Sequence, residues 1–250
     1  MSTGTIDLAV ADGVATITLD NRGVRNALTA SMADQLWHIC EQIDADATIG
    51  GAVVRGAGGA FCSGADRADL AEWGTDPARD DLYQRTGQIY ATFVRIGALR
   101  VPTVAAVRGA AVGAGVNLML STDLRIVADD ARILAGFLPA GIHPGGGHFV
   151  LAGRTAGREA TAAMTLFGQE ISGRRAVETG MAWEHVPDGR VEGRAMELAA
   201  RAAKDPDLAR MTVASFRAAL GPPSLSWEQG LEFERGRQMW SLRRRTTPTR

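Results

Sequence analysis

An α/β fold with a helical C-terminal part follows from three features of this 250-residue chain. Short apolar runs alternate with helix-period segments through roughly the first 150 residues, and helix-period segments alone follow. Three glycine-rich loops, at Gly56–Asp66, Gly109–Gly115 and Gly141–Gly147, stand where apolar runs give way to helical pattern.

The elements follow in order. Ile6, Leu8 and Val10 alternate with other residues, Asp12-Gly13 makes the turn, and Ala15, Ile17 and Leu19 alternate again, which predicts a β-hairpin. From Thr29 the period becomes helical, with Met32, Leu36, Ile39, Cys40 and Ile43 on one face and Ser31/Asp34 resembling a capping box. Ala52-Val53-Val54 reads as a buried strand. Helical pattern then runs from Asp66 to Trp73 and from Leu82 to Leu99, ended by Pro102. Thr103–Val107 is a second buried strand, a helix reaches Leu120, and Leu124–Val127 is another strand. Beyond Gly153 helices are predicted at 158–166, 174–179, 190–204, 207–220 and from Trp227, with Gly221-Pro-Pro-Ser224 as a break.

Composition excludes several classes. Hydrophobic content of 46 % and charged content of 22 % suit a globular domain. A net charge of −1 supplies no field for nucleic acid or an anionic membrane. No run approaches the ~20 apolar residues of a membrane span, and the first residues lack signal-peptide features. Two cysteines, Cys40 and Cys62, fit a reducing cytoplasm better than a disulfide framework. The four histidines show no metal-ligand spacing, so no metal is expected.

A glycine-rich loop that opens a helix presents unpaired backbone N–H groups to a ligand oxygen. Either loop alone reads more readily as a tight turn, and neither matches a dinucleotide or phosphate-loop pattern. Their order carries more. Asn21-Arg-Gly-Val-Arg-Asn-Ala-Leu28, the Phe61-Cys-Ser-Gly-Ala-Asp66 loop end, Val107–Gly115, Asp123–Ala128, Pro144-Gly-Gly-Gly147 and Ala176–Val186 together resemble the crotonase (enoyl-CoA hydratase/isomerase) superfamily over roughly residues 6–240.

That resemblance implies a spiral ββα core over residues 1–190, carrying an acyl-CoA site, and a helical extension over 191–250 used for trimerisation. It implies a homotrimer or dimer of trimers, a coenzyme A thioester as substrate and no separate cofactor. By motif, the N–H groups of Ala65 and Ala114 would form an oxyanion hole, beside Gly113. The coenzyme end would be held near Arg25, Ala27, Ser63, Ala65, Asp66 and Arg67.

The same alignment places Asn117 and Phe137 where a hydratase carries two glutamates. An amide orients water without useful proton affinity, and a phenyl ring does neither, so syn-hydration should be weak. His143 is then the candidate base of the third loop, with His148 behind it. Asp69 and Tyr90 could face an acyl pocket, and Cys62 sits beside the first loop's motif, although helix-start acids, buried aromatics and buried cysteines are more often structural. Trp37 and Trp183 read as core or subunit contacts. Two functions remain open: an altered hydratase/isomerase-type enzyme, and a catalytically silent acyl-CoA binder.

Overall fold

The computed structural model describes residues 4–76, 78–219 and 227–246. Its first hairpin joins β1 (Thr5–Ala11) to β2 (Val14–Asp20) in antiparallel register. Asp12 and Gly13, at φ 50° and 74°, supply the two left-handed residues that such a turn needs. Helix α1 (Ala30–Ala45) follows and buries the predicted face. Its cap differs from the expected box: Thr29 Oγ1 accepts from Met32 N at 3.2 Å, and Ser31 lies inside the first turn. Thr29 precedes the helix in extended geometry, so its hydroxyl reaches an orphan N–H that a helical Ser31 cannot.

Strands β3 (Gly51–Gly56), β4 (Thr103–Val107), β6 (Leu124–Ala128) and β9 (Glu184–Val186) extend the hairpin in parallel, in the order β1-β2-β3-β4-β6-β9. β3 and β4 are buried almost throughout, as a parallel sheet covered on both faces requires. A smaller sheet pairs β5 (Ala110–Val112) parallel to β7 (Arg132–Leu134), with β8 (Ile171–Ser172) antiparallel beyond it.

Helices α2 (Arg67–Trp73) and α3 (Asp80–Gly97) come in succession after β3, and α4 (Ala114–Ser121) comes after β5. Helix α5 (His148–Thr165) starts directly after the third loop and is broken at Gly157, whose φ of 74° no helix accepts; the sequence predicts only the part after that break. Then come α6 (Gly173–Glu178), α7 (Val191–Ala203), α8 (Pro206–Ala219) and α9 (Trp227–Thr246). The predicted Gly221–Ser224 break lies outside the described residues.

α7 packs on the main sheet, while α9 returns against α2, α3 and α5. Its Trp227 seats on Gly97 and Gly147, where added Cβ atoms would come within 2.5 and 2.7 Å of the indole. Trp37 and Trp183 are 42 % and 64 % exposed, which rules out the core reading for both. Trp37 lies on the outer side of α1 and Trp183 just before β9, where sequence period alone does not tell solvent from partner.

Candidate functional site

Three loops are stitched together before any pocket forms. In the first, Arg25 and Asn26 are both left-handed, at φ 53° and 58°. Asn26 is completely buried: its Nδ2 donates to Ala57 O and Ala60 O at 2.8 and 2.7 Å, and its Oδ1 accepts from Asn21 N at 2.9 Å. Those bonds repay a backbone conformation that asparagine tolerates better than most side chains. Gly56 is required beside it, because a Cβ there would lie 2.0 Å from Ala60 O.

The Gly56–Asp66 loop is held on both sides. Ser63 N donates to Arg25 O at 2.9 Å, and Ser63 Oγ to Val24 O at 2.7 Å. Leu28 N donates to Gly64 O at 2.8 Å, and Asp66 N to Leu28 O at 2.9 Å. In this parallel bridge residue 65 is skipped, so the Ala65 N–H faces away from Leu28 and has no acceptor among the described residues. On the other side, Cys62 N donates to Ala110 O at 3.1 Å and Val112 N to Cys62 O at 2.9 Å.

That second pairing brings β5 and the start of α4 against the loop. Ala114 is the first residue of α4, so its N–H is one of the orphan donors of a helix start. A Cβ placed on Gly64 would be 3.8 Å from Ala114 N, which measures how close the two loops run. Gly115 has no freedom to be larger, since its Cβ would be 2.2 Å from Cys62 O. Cys62 itself is buried, and that burial pushes its thiol up to about 12, leaving no thiolate for nucleophilic chemistry.

Ala65 and Ala114 border one cavity of about 770 Å³. Arg25, Ala27, Ser63, Asp66 and Arg67 border it too, with Arg25 and Arg67 exposed, as do Gly113, Asn117 and Phe137 from the opposite side. Asp66 caps α2 by accepting from Ala68 N at 2.8 Å. Tyr90 and Phe93 of α3 and Gln238 of α9 complete the buried end. Gln238 has no counterpart in the sequence reading, because only tertiary folding brings residue 238 beside Gly145, where a Cβ would come within 2.4 Å of its amide.

His143 does not border the cavity; its Nδ1 lies 2.7 Å from Pro144 O and its ring packs against Phe149. The third loop turns that side chain back along its own backbone, so its expected role as base lacks the position it needs. His148 is fully buried one turn deeper. Asn117 Nδ2 donates to Gly145 O at 2.8 Å, so Asn117 Oδ1 must accept, and His148 Nδ1 at 2.9 Å carries the proton. His148 Nε2, 2.9 Å from Thr165 Oγ1, is then the acceptor. Burial pushes the imidazole down to about 4, and Phe137 stacks edge-on against it at 5.1 Å.

Asp69 lies outside the cavity lining. Burial raises its carboxyl, and its Oδ2 has no partner among the described residues. No group of three or more His, Cys, Asp or Glu among the described residues could hold a metal ion, and no helix among them is long and apolar enough to cross a membrane.

A largely parallel sheet feeding amide-lined loops around a cavity defines a crotonase-type α/β protein. The chain belongs to the enoyl-CoA hydratase/isomerase family, whose model matches residues 9–238. It is 39 % identical over 223 residues to a probable enoyl-CoA hydratase of Mycobacterium tuberculosis, covering 89 % of this chain and 85 % of that one. It is 35 % identical over 198 residues to the 1,2-epoxyphenylacetyl-CoA isomerase of Escherichia coli, covering 79 % and 75 %. The crystal structure of an enoyl-CoA hydratase/isomerase from Xanthobacter autotrophicus superposes with a TM-score of 0.85 at 28 % identity, covering 94 % of this chain and 86 % of that one.

Proposed function

We propose that the chain binds acyl-CoA thioesters and stabilises a thioester enolate between the N–H groups of Ala65 and Ala114. The observation that carries this reading is the skipped residue of the Leu28–Ala65 bridge, which frees one amide beside the orphan amide that opens α4. Two such donors delocalise charge from Cα onto the carbonyl oxygen, and removing one commonly costs ~2.7–4 kcal/mol in catalysis. Arg25 and Arg67 stand at the exposed mouth, where they suit the phosphates and adenine of coenzyme A. The thioester is the substrate, and no metal or redox cofactor enters. On the same reading the protein works as a homotrimer or a dimer of trimers in the cytoplasm, with the segment from 191 as its subunit contact.

Hydration by the two-glutamate route is not the reaction favoured here. Asn117 and Phe137 supply no proton acceptor, and Asn117 is held by Gly145 and His148. This commitment of the Asn117 amide also favours a second reading, a carrier that keeps the pocket without turnover. The two separate in one experiment: incubate the protein with crotonyl-CoA and a panel of saturated, unsaturated and β-functionalised acyl-CoAs, following binding and product together. Binding with isomerised or otherwise converted product supports the enzyme. Tight binding with no product over hours leaves the carrier, and no binding by folded protein sinks both.

A further inference from the structure

We infer that the buried end of the cavity is shaped for an uncharged aryl-bearing acyl group rather than a straight chain, an inference that rests on the acyl-thioester reading above. The chain has five Trp, two Tyr and seven Phe, with aromatic residues at 6 % of its length. Yet four of the 26 residues bordering the cavity, Trp73, Tyr90, Phe93 and Phe137, are aromatic, and all four are buried. They arrive from α2, α3 and the loop after β7, so the enrichment is not one helix's stripe.

The rings are also backed by neighbours that limit their movement. Phe137 meets the His148 ring edge-on at 67°, and that imidazole is bonded at both nitrogens. Tyr90 lies 6.5 Å from Phe93 in a tilted pair, and the Arg235 guanidinium, 13 % exposed, sits 5.9 Å from the Tyr90 centroid. Phe93 abuts Gly146, where a Cβ would meet it at 2.9 Å. Fixed rings favour a rigid planar guest that meets them offset or edge-to-face, and disfavour a chain that must give up many torsions to fit between them.

The charged residues bordering the cavity, among those described, are Arg25, Asp66 and Arg67, all from the first two loops. At the aromatic end the polar side chains bordering the cavity, Asn117, Tyr90 and Gln238, are uncharged, Asn117 is committed to Gly145 and His148, and Arg235 stands against the Tyr90 ring without bordering the cavity. Nothing there, among the described residues, offers a counter-ion to a second carboxylate, which is why the aryl group is assigned as uncharged.

Phenylacetyl-CoA and octanoyl-CoA carry the same number of acyl carbons, and neither can be hydrated, so calorimetry reads binding alone. Buried apolar area by itself favours the longer, flexible octanoyl chain. The aromatic slot reverses that order, with phenylacetyl-CoA binding about 10-fold more tightly, a difference of about 1.4 kcal/mol. Phe137→Leu should bring the ratio close to one, and Phe93→Leu provides the same reading should the first variant fail to fold. Octanoyl-CoA binding equally or better overturns the aryl inference while leaving the acyl-thioester reading intact. A leucine variant that keeps the full preference overturns it as well. Failure of both ligands and of acetyl-CoA to bind folded protein overturns the underlying reading.

Discussion

Asn117 Oδ1 and His148 Nδ1 lie 2.9 Å apart in a site closed to solvent, with Thr165 bonded to the far side of the imidazole. This arrangement ties α4, the third glycine loop and α5 into one unit behind the cavity. It works with a neutral imidazole, since a second ring proton would put on the buried ring a charge that burial disfavours.

A pH dependence follows from that pair. His148 falls from 6.5 to about 4 because of burial. Between those values the unfolded chain binds a proton that the folded chain does not, so stability rises with pH. The contribution is fully present above about pH 6.5 and is lost as pH falls toward 4, amounting to about 3 kcal/mol. Urea denaturation at pH 7 and pH 4.5 should show a loss in the wild type that shrinks in His148→Gln, which keeps hydrogen-bonding atoms without the titration. Equal losses in both proteins would place the acid sensitivity elsewhere.

Much of this was legible beforehand, for identifiable reasons. The hairpin and α1 carry their period over seven or more residues, so alternation or helical spacing shows, whereas β3 and β4 stand out as unbroken apolar runs. Strands β5, β7 and β8 have two or three residues each, too few for any pattern, and exist because loops and neighbours pair with them. The loops that hold Ala65 and Ala114 were readable through their glycines, since Gly56 and Gly115 have no room for a side chain. The Asn117–His148 bond was not readable. Its partners are separated by 31 positions, and only the third loop's path decides that His148 turns toward Asn117 and His143 toward Pro144 O.

Asn26 should prove to be the keystone of the coenzyme side. Asn26→Ala removes three hydrogen bonds and leaves Asn21 N, Ala57 O and Ala60 O to find other partners. A destabilisation of about 3 kcal/mol is expected, because unmet buried groups cost ~1–3 kcal/mol each and partial relaxation recovers some of it. Arg25 and Ser63 border the cavity through this same loop pairing, so affinity for coenzyme A itself should drop about 10-fold in protein that remains folded, a loss of about 1.4 kcal/mol. Calorimetry at a temperature well below the variant's midpoint separates the two effects. Unchanged coenzyme A affinity would show that the loop's left-handed turn is not what positions Arg25.

Ala114 permits a test aimed at one donor, because proline replaces its N–H with the ring Cδ. It is the first residue of α4, where proline's fixed φ and missing N–H are both compatible with a helix start. Gly113 before it, at φ 54° and ψ −112°, has no Cβ to meet the proline ring. Ala114→Pro should therefore fold with near-native stability while deleting one of the two proposed donors. Any turnover found in the acyl-CoA panel should fall ~10²–10³-fold. Infrared difference spectra of bound acyl-CoA, carbon-13 labelled at the thioester carbonyl, should show a smaller red shift of that stretch than in wild type. Ala114→Gly, which keeps the N–H and removes only the methyl group, should retain both the shift and the turnover. A carbonyl stretch identical in the proline variant and the wild type would mean that the Ala114 amide does not touch the thioester oxygen, and enolate stabilisation at this site would have to be abandoned.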